Sequence, residues 1–152
     1  MAASRAVTEV SAPSGPNGGA LPIAEFGFAG TDLRRRLVAA ILAGAKTATS
    51  SLLMEYEEDG DPIPSAGERS TLVDFNDQPV GILETTEVRI VPMADVDLDF
   101  AIDEGEDFTS VAQWRAAHEA FWSSYRPGPC TDTTLIVCER FRLVELVDPA
   151  VR

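Results

Sequence analysis

Lys46 is the only lysine in the sequence, and the other eleven of its twelve cationic side chains are arginines. Arginine serves wherever a generic positive charge is needed. A solitary lysine therefore points to something arginine lacks, a proton that burial can remove near neutral pH. A neutral amine can act as a base or help a neighbouring hydroxyl attack. Thr49 is the nearest candidate nucleophile, with Thr47, Ser50 and Ser51 as competitors. In an ideal strand, residues 46 and 49 face opposite ways, so the two converge only if Lys46 lies in a bend before the strand. Gly44, standing where a helix should stop, predicts that bend. On composition alone, Lys46 also reads as an exposed amine and the threonines as ordinary strand formers.

Other chemistry is excluded by residue count and spacing. Gly44-Ala45-Lys46-Thr47 lacks the glycine directly before the lysine that a phosphate-binding loop requires, and it follows a helix rather than a strand. One histidine, His118, and two cysteines, Cys130 and Cys138, supply no clustered ligand spacing, so no metal and no cofactor is expected. The cysteines read as unreactive small residues near the last strand.

The elements that must position these residues follow from periodicity. Thr31 as N-cap, Asp32 in the first turn and Leu33, Leu37 and Ile41 at helical spacing predict a first helix. Its Arg34, Arg35 and Arg36 lie mostly off the apolar stripe and read as a solvated face, or else as a phosphate-contacting patch. Residues 46–53 predict a strand entering the core, and 55–61 an acidic loop. Residues 70–75 and 80–91 predict a hairpin turning at Asn76-Asp77. Ser110 and Gln113 form a capping signal for a second helix, whose Val111, Trp114, His118, Phe121, Trp122 and Tyr125 share one broad face. Residues 133–146 predict the last strand. Strands outnumber helices without alternating with them, so the expected class is α+β, a small β-barrel or curved sheet with two or three packed helices.

At 152 residues with 45% apolar and 24% charged residues, the chain fits one globular domain. Residues 1–24 read as a flexible tail and 25–148 as the domain. No apolar run is long enough to span a bilayer and the amino terminus carries no secretory signal, so no membrane partner and a cytoplasmic location are expected. A net charge of −13 disfavours duplex DNA and long RNA, leaving a small nucleoside or a short single strand as the expected partner. The composition sets no oligomeric state.

Several segments in order resemble the ASCH domain, of the longer bacterial type and PUA-like in fold. They are the first helix, Gly44-Ala45-Lys46-Thr47-Ala48-Thr49, the hairpin with Asp77-Gln78-Pro79-Val80-Gly81-Ile82-Leu83-Glu84-Thr85-Thr86, Phe100-Ala101-Ile102-Asp103-Glu104-Gly105-Glu106, and Trp114-Arg115-Ala116-Ala117-His118. The resemblance covers roughly residues 25–147. It implies a PUA-like barrel with a cleft for RNA or a nucleoside. In compact members a lysine, a threonine three residues later and a distant glutamate hydrolyse the amide of acetylcytidine, and these roles carry over to Lys46, Thr49 and Glu104. Longer members are linked to metal-independent cleavage of single-stranded RNA, and a non-catalytic RNA-binding module is the third expectation. Flanked by Asp103, Glu106 and Asp107, a buried Glu104 would be reluctant to ionise and could protonate a departing amine. Thr47, Ser51, Tyr56, Glu84, Trp114, Arg115 and His118 are the candidate cleft-lining residues, Tyr56 and Trp114 by stacking on a base. Trp114 and His118 also fit a packed helical face.

Overall fold

Thr31 caps the first helix as its sequence requires: its Oγ1 accepts from the Arg34 backbone N–H, and α1 runs Asp32–Leu42. In this computed structural model, which describes residues 20–148, three further helices follow: α2 (Leu53–Asp59), α3 (Leu98–Asp103) and α4 (Val111–Ser123). The five strands are β1 (Ile23–Ala24), β2 (Ala48–Leu52), β3 (Arg69–Val73), β4 (Pro79–Pro92) and β5 (Leu135–Leu146). The tail expected over 1–24 lies outside the described residues up to position 19, and residues 23 and 24 form β1.

The strands make one mixed sheet in the order β1-β3-β4-β5-β2, curled into a half-barrel. Only β1 and β3 run parallel. The pairing of the long β4 with β5 is irregular at two places: between Ile82 and Leu83 the extra residue is Val144 of β5, and between Thr85 and Glu87 it is Thr86 of β4. Such bulges raise local twist and let one strand serve two parts of a curved sheet. The expected hairpin is β3–β4, closed by the Asp74 carboxylate, which accepts from the N–H groups of Asn76 and Gln78.

Two apolar clusters fill the structure. One gathers Trp114 and Trp122 of α4 with Phe100, Leu52 and Ile136. The other packs Leu37, Val38 and Ile41 of α1 on Leu72, Leu83 and Phe141. β2 is buried along its whole length, with Ala48 and Leu52 in the first cluster.

Two local expectations are corrected. The acidic segment after β2 is largely helix, because Glu55 and Tyr56 are buried on one side of α2 while Glu57, Glu58 and Asp59 take the water. Of the three arginines on α1, Arg34 is buried, not solvated. Its guanidinium donates to Phe26 O (3.3 Å), Gly27 O (3.1 Å) and Asp77 Oδ1 (2.6 Å), tying α1 to the chain before it and to the β3–β4 turn. Arg35 and Arg36 are exposed as expected.

Replacing Arg34 by Met leaves two buried carbonyls without a donor, so unfolding stability should fall by ~2–5 kcal/mol. Arg35→Met should stay within about 1 kcal/mol of the unmodified protein. Urea denaturation of both variants checks the contrast.

Candidate functional site

Lys46 lies in the short segment between α1 and β2, ahead of the first strand residue. The segment is anchored at both ends. Ala45 and Lys46 donate backbone hydrogen bonds to Ala40 O, and Thr47 N–H donates to Asp103 O (2.8 Å) at the end of α3. Arg140 of β5 bonds the Asp103 carboxylate (2.6 Å), so the end of α3 is held from two directions. Gly105 then turns the chain with φ +68°, and it lies so close to residues 45 and 46 that a Cβ there would stand 2.6 Å from Ala45 O and 2.7 Å from Lys46 Cα. Only glycine fits this approach.

The result is a dry polar cluster. Lys46 Nζ donates to Ala48 O (2.8 Å) and Glu104 O (3.2 Å). It also stands 3.7 Å from Glu104 Oε1 and 3.8 Å from Glu106 Oε2. Glu104 is fully buried, with its Oε2 accepting from Ser50 Oγ (2.7 Å) and Trp114 Nε1. His118 Nε2 lies 3.3 Å from the same oxygen, and its Nδ1 faces Trp114 O at 2.8 Å. A carbonyl only accepts, so Nδ1 carries hydrogen; His118 Nε2 and the Glu104 carboxyl then need one proton between them. Glu104, Glu106 and His118 bring ligand-type atoms within 4.8 Å of one another, and the Lys46 amine provides the positive charge beside them.

These neighbours decide the state of Glu104 against the sequence expectation. Burial opposes its charge, yet His118 and Lys46 outweigh burial and hold the carboxyl well below the ordinary carboxylate range. Of the acidic neighbours expected to raise it, Glu106 does lie within 4.8 Å, but with the Lys46 amine against both. Asp103 is turned to Arg140, and Glu106 shares Lys46.

Thr49 faces the other way. Alternation along β2 sends Ser50 to Glu104 and Thr49 into a separate pocket. That pocket is bordered by Phe26, Tyr56, Ser70, Thr85 and Glu139. The Thr49 hydroxyl is buried and has no hydrogen-bond partner among the described residues. Lys46 sits at the seam, its Nζ 5.8 Å from the centre of the Phe26 ring that walls the Thr49 pocket.

The remaining candidates divide. Tyr56 is in the Thr49 pocket. Trp114 and His118 are buried and stacked on each other at 4.5 Å, so Trp114 has no face for a base; His118 contacts Glu104 instead of serving only as packing. Ser51 is buried opposite Val137, and the exposed Thr47 tethers α3. Glu84 pairs with Arg142 and Arg69, and Arg115 with Glu119 and Asp132, both away from the two polar clusters. Burial pushes the Cys138 thiol up to about 12, in keeping with an unreactive residue. Glu139 and Thr85 were missed. The available signal was an acidic residue directly after the apolar run Leu135–Cys138 of a strand.

The ASCH domain model matches residues 24–145. A protein from Enterococcus faecalis, of a family of unknown function, superposes with a TM-score of 0.71 at 32% identity, covering 80% of this chain and 74% of that one. An ASCH domain from Lactobacillus crispatus superposes with a TM-score of 0.66 at 31% identity, covering 72% and 71%. Comparison with curated proteins finds no match. The curled sheet with its helices is the PUA-like fold of these neighbours. No helix among the described residues is long and apolar enough to cross a membrane.

Two outcomes follow from the geometry. Gly105→Ala should cost at least ~1–3 kcal/mol in thermal or urea unfolding, since a backbone contact must open. Because the folded-state affinity of Glu104 for its proton lies below the ordinary 4.5, its contribution is full above that pH and is lost as pH falls through the folded value. The stability gap between the unmodified protein and Glu104→Gln should therefore narrow on acidification below pH 4.5, measured by urea midpoints across the range.

Proposed function

The chain belongs to the ASCH domain family, and from that premise we propose that it is a hydrolase acting on nucleosides or RNA, in its sharper form cleaving the amide of an acylated cytidine. The observation supporting this reading is a buried, partnerless hydroxyl at Thr49 beside a pocket whose wall is shared with a buried lysine. A threonine without a partner costs free energy to bury, and structures retain such atoms where a ligand or reaction uses them.

In this reading Thr49 Oγ bonds to the acyl carbon and the carbon–nitrogen bond breaks. Lys46, charged at rest, gives one of its own protons to the departing exocyclic amine and takes the hydroxyl proton in its place, so its charge is the same before and after the step. Water then splits the acyl-threonine ester, releasing the acid and restoring the hydroxyl. Glu104 is not the proton donor, because it is held ionised; it fixes the Lys46 amine and balances its charge. Tyr56 and Phe26 are apolar walls of the Thr49 pocket. No metal or cofactor enters these steps. The strong negative charge favours a free nucleoside or a short strand over a long polymer. A reduced cytoplasmic setting suits the free thiols Cys130 and Cys138.

Purified protein offered acetylcytidine and a short single-stranded RNA side by side should release acetate from the nucleoside, with a rate nearly indifferent to added salt. Lys46→Arg and Thr49→Val should each lower that rate by ~100-fold or more while melting as folded proteins. Full activity in the arginine variant overturns the proton relay. Cleavage of the RNA alone, with steep salt dependence, selects the ribonuclease reading instead, and binding without turnover selects an RNA-binding module.

A further inference from the structure

The outer half of β4 is a sheet edge without a strand beside it. β3 pairs with β4 as far as Glu84, and the chain before β3 closes that seam at Thr85. There the Thr85 N–H donates to Glu68 O (2.9 Å), and its carbonyl accepts from the Gly67 N–H (2.8 Å). From Glu87 to Pro92 the strand pairs with β5 on one side. Among the described residues, no backbone hydrogen bond reaches residues 86–92 from the other side. The two ends of the sheet offer no such edge, because β2 is buried along its length and β1 is two residues long.

Open edges are commonly blunted by proline, by a covering loop or by charge. Here proline comes only at position 92, and the charges are one acid and one base two residues apart, Glu87 and Arg89, each about half exposed. Between and beyond them lie Val88, half-buried, and Ile90, 43% exposed. Rotated about a twofold axis at Val88, an antiparallel copy of the strand sets Glu87 opposite Arg89 of the second copy and Arg89 opposite its Glu87. Val88 then meets Val88, and Thr86 meets Ile90. A slip of two residues either way sets Glu87 against Glu87 or Arg89 against Arg89, and a slip of one sets a charge against Val88. Charge therefore selects a single register. Within the chain, Glu87 stands 3.5 Å from both Arg89 and Arg140, and Arg140 keeps Asp103 as a second partner.

We propose that this edge binds a second copy of the chain in that antiparallel register, joining two sheets across a twofold axis. The inference stands on the sheet alone and does not depend on the hydrolase reading. The chain closing the seam at Thr85 limits the shared ladder to residues 86–90 of each copy, a small interface, so the dimer forms and dissociates with concentration. Two chains of net charge −13 repel each other at a distance, and salt at about 0.15 M screens that repulsion beyond about 8 Å.

Sedimentation equilibrium at that salt, over roughly a hundredfold range of concentration, should show monomer passing to dimer. Glu87→Arg or Arg89→Glu alone sets like charges opposite each other twice and should weaken association by ~tenfold or more. A general charge effect would give a different pattern, since Glu87→Arg lowers the repulsion between copies. Mixed one to one, the two variants recover both opposite-charge contacts and should associate within about threefold of the unmodified protein. An unmodified protein that stays monomeric overturns the inference. So does either variant associating as well as the unmodified protein, or a mixture that associates no better than its components. Should a variant fail to fold, amide hydrogen exchange on the unmodified protein replaces it: exchange within 86–90 should slow on concentration, and unchanged exchange there overturns the inference as well.

Discussion

A lysine amine enclosed by two backbone carbonyls and two carboxylates is the constraint on which the rest of the structure depends. Charges taken out of water are costly, and removing one partner of a buried pair costs ~3–5 kcal/mol because the other is left uncompensated. The neighbourhood is arranged to avoid that cost. Ser50 and Trp114 satisfy one oxygen of Glu104, His118 stands against the same atom, and α4 closes over them with two buried tryptophans. The donors come from two elements, Ser50 from β2 and Trp114 from α4. Stability and site geometry therefore arise from the same contacts, and neither can be altered without the other.

The β2–β5 pair separates two kinds of polar chemistry. On one face, Lys46, Glu104 and His118 form a closed cluster whose members largely satisfy one another. On the other, Thr49 has no hydrogen-bond partner among the described residues, in a pocket shared with Glu139. A satisfied cluster is rigid and preorganised, which suits electrostatic support at a reacting centre. The unsatisfied face is where a ligand gains most by binding. Lys46 is the one residue of the closed cluster shown to approach a wall of the open pocket, through Phe26.

Much of this was legible in the residues. The Thr31 cap, the hairpin, the capping signal at Ser110 and the long final strand all follow from local patterns, and each is present. So was the bend at Gly44 that places Lys46 before the strand; Glu104 was named only through the ASCH resemblance, and the bend does not bring Lys46 to Thr49 as expected, because Thr49 faces a separate pocket. What failed were statements about electrostatic surroundings. Sequence neighbours made Glu104 look crowded by like charges, whereas the fold turns Asp103 to Arg140 and brings His118 and Lys46 from elsewhere. Arg34 looked like its two neighbours because periodicity sees a stripe, not the carbonyls of Phe26 and Gly27 that come to meet it. α2 escaped notice because acidic residues and nearby prolines resemble a loop until Tyr56 and Glu55 are seen to be buried. Glu139 showed only as an acidic residue after an apolar run; its place opposite Thr49 comes from a ladder pairing of residues ninety positions apart.

The acidity of the chain acquires a role once these placements are known. A net charge of −13 keeps a long polyanion at a distance, since association with it depends on releasing counterions from many phosphates. Many of the described arginines are engaged: Arg34 with Asp77, Arg69 and Arg142 with Glu84, Arg115 with Glu119 and Asp132, Arg126 with Glu58, Arg140 with Asp103. Each would have to give up a carboxylate to take a phosphate. A neutral nucleoside asks for no such exchange. It needs apolar walls, an acceptor and a hydroxyl within one small enclosure, and the Thr49 pocket brings those groups together. In the proposed reading, charge acts on the ligand by repulsion at long range and the Thr49 hydroxyl by hydrogen bonding at contact, two independent terms.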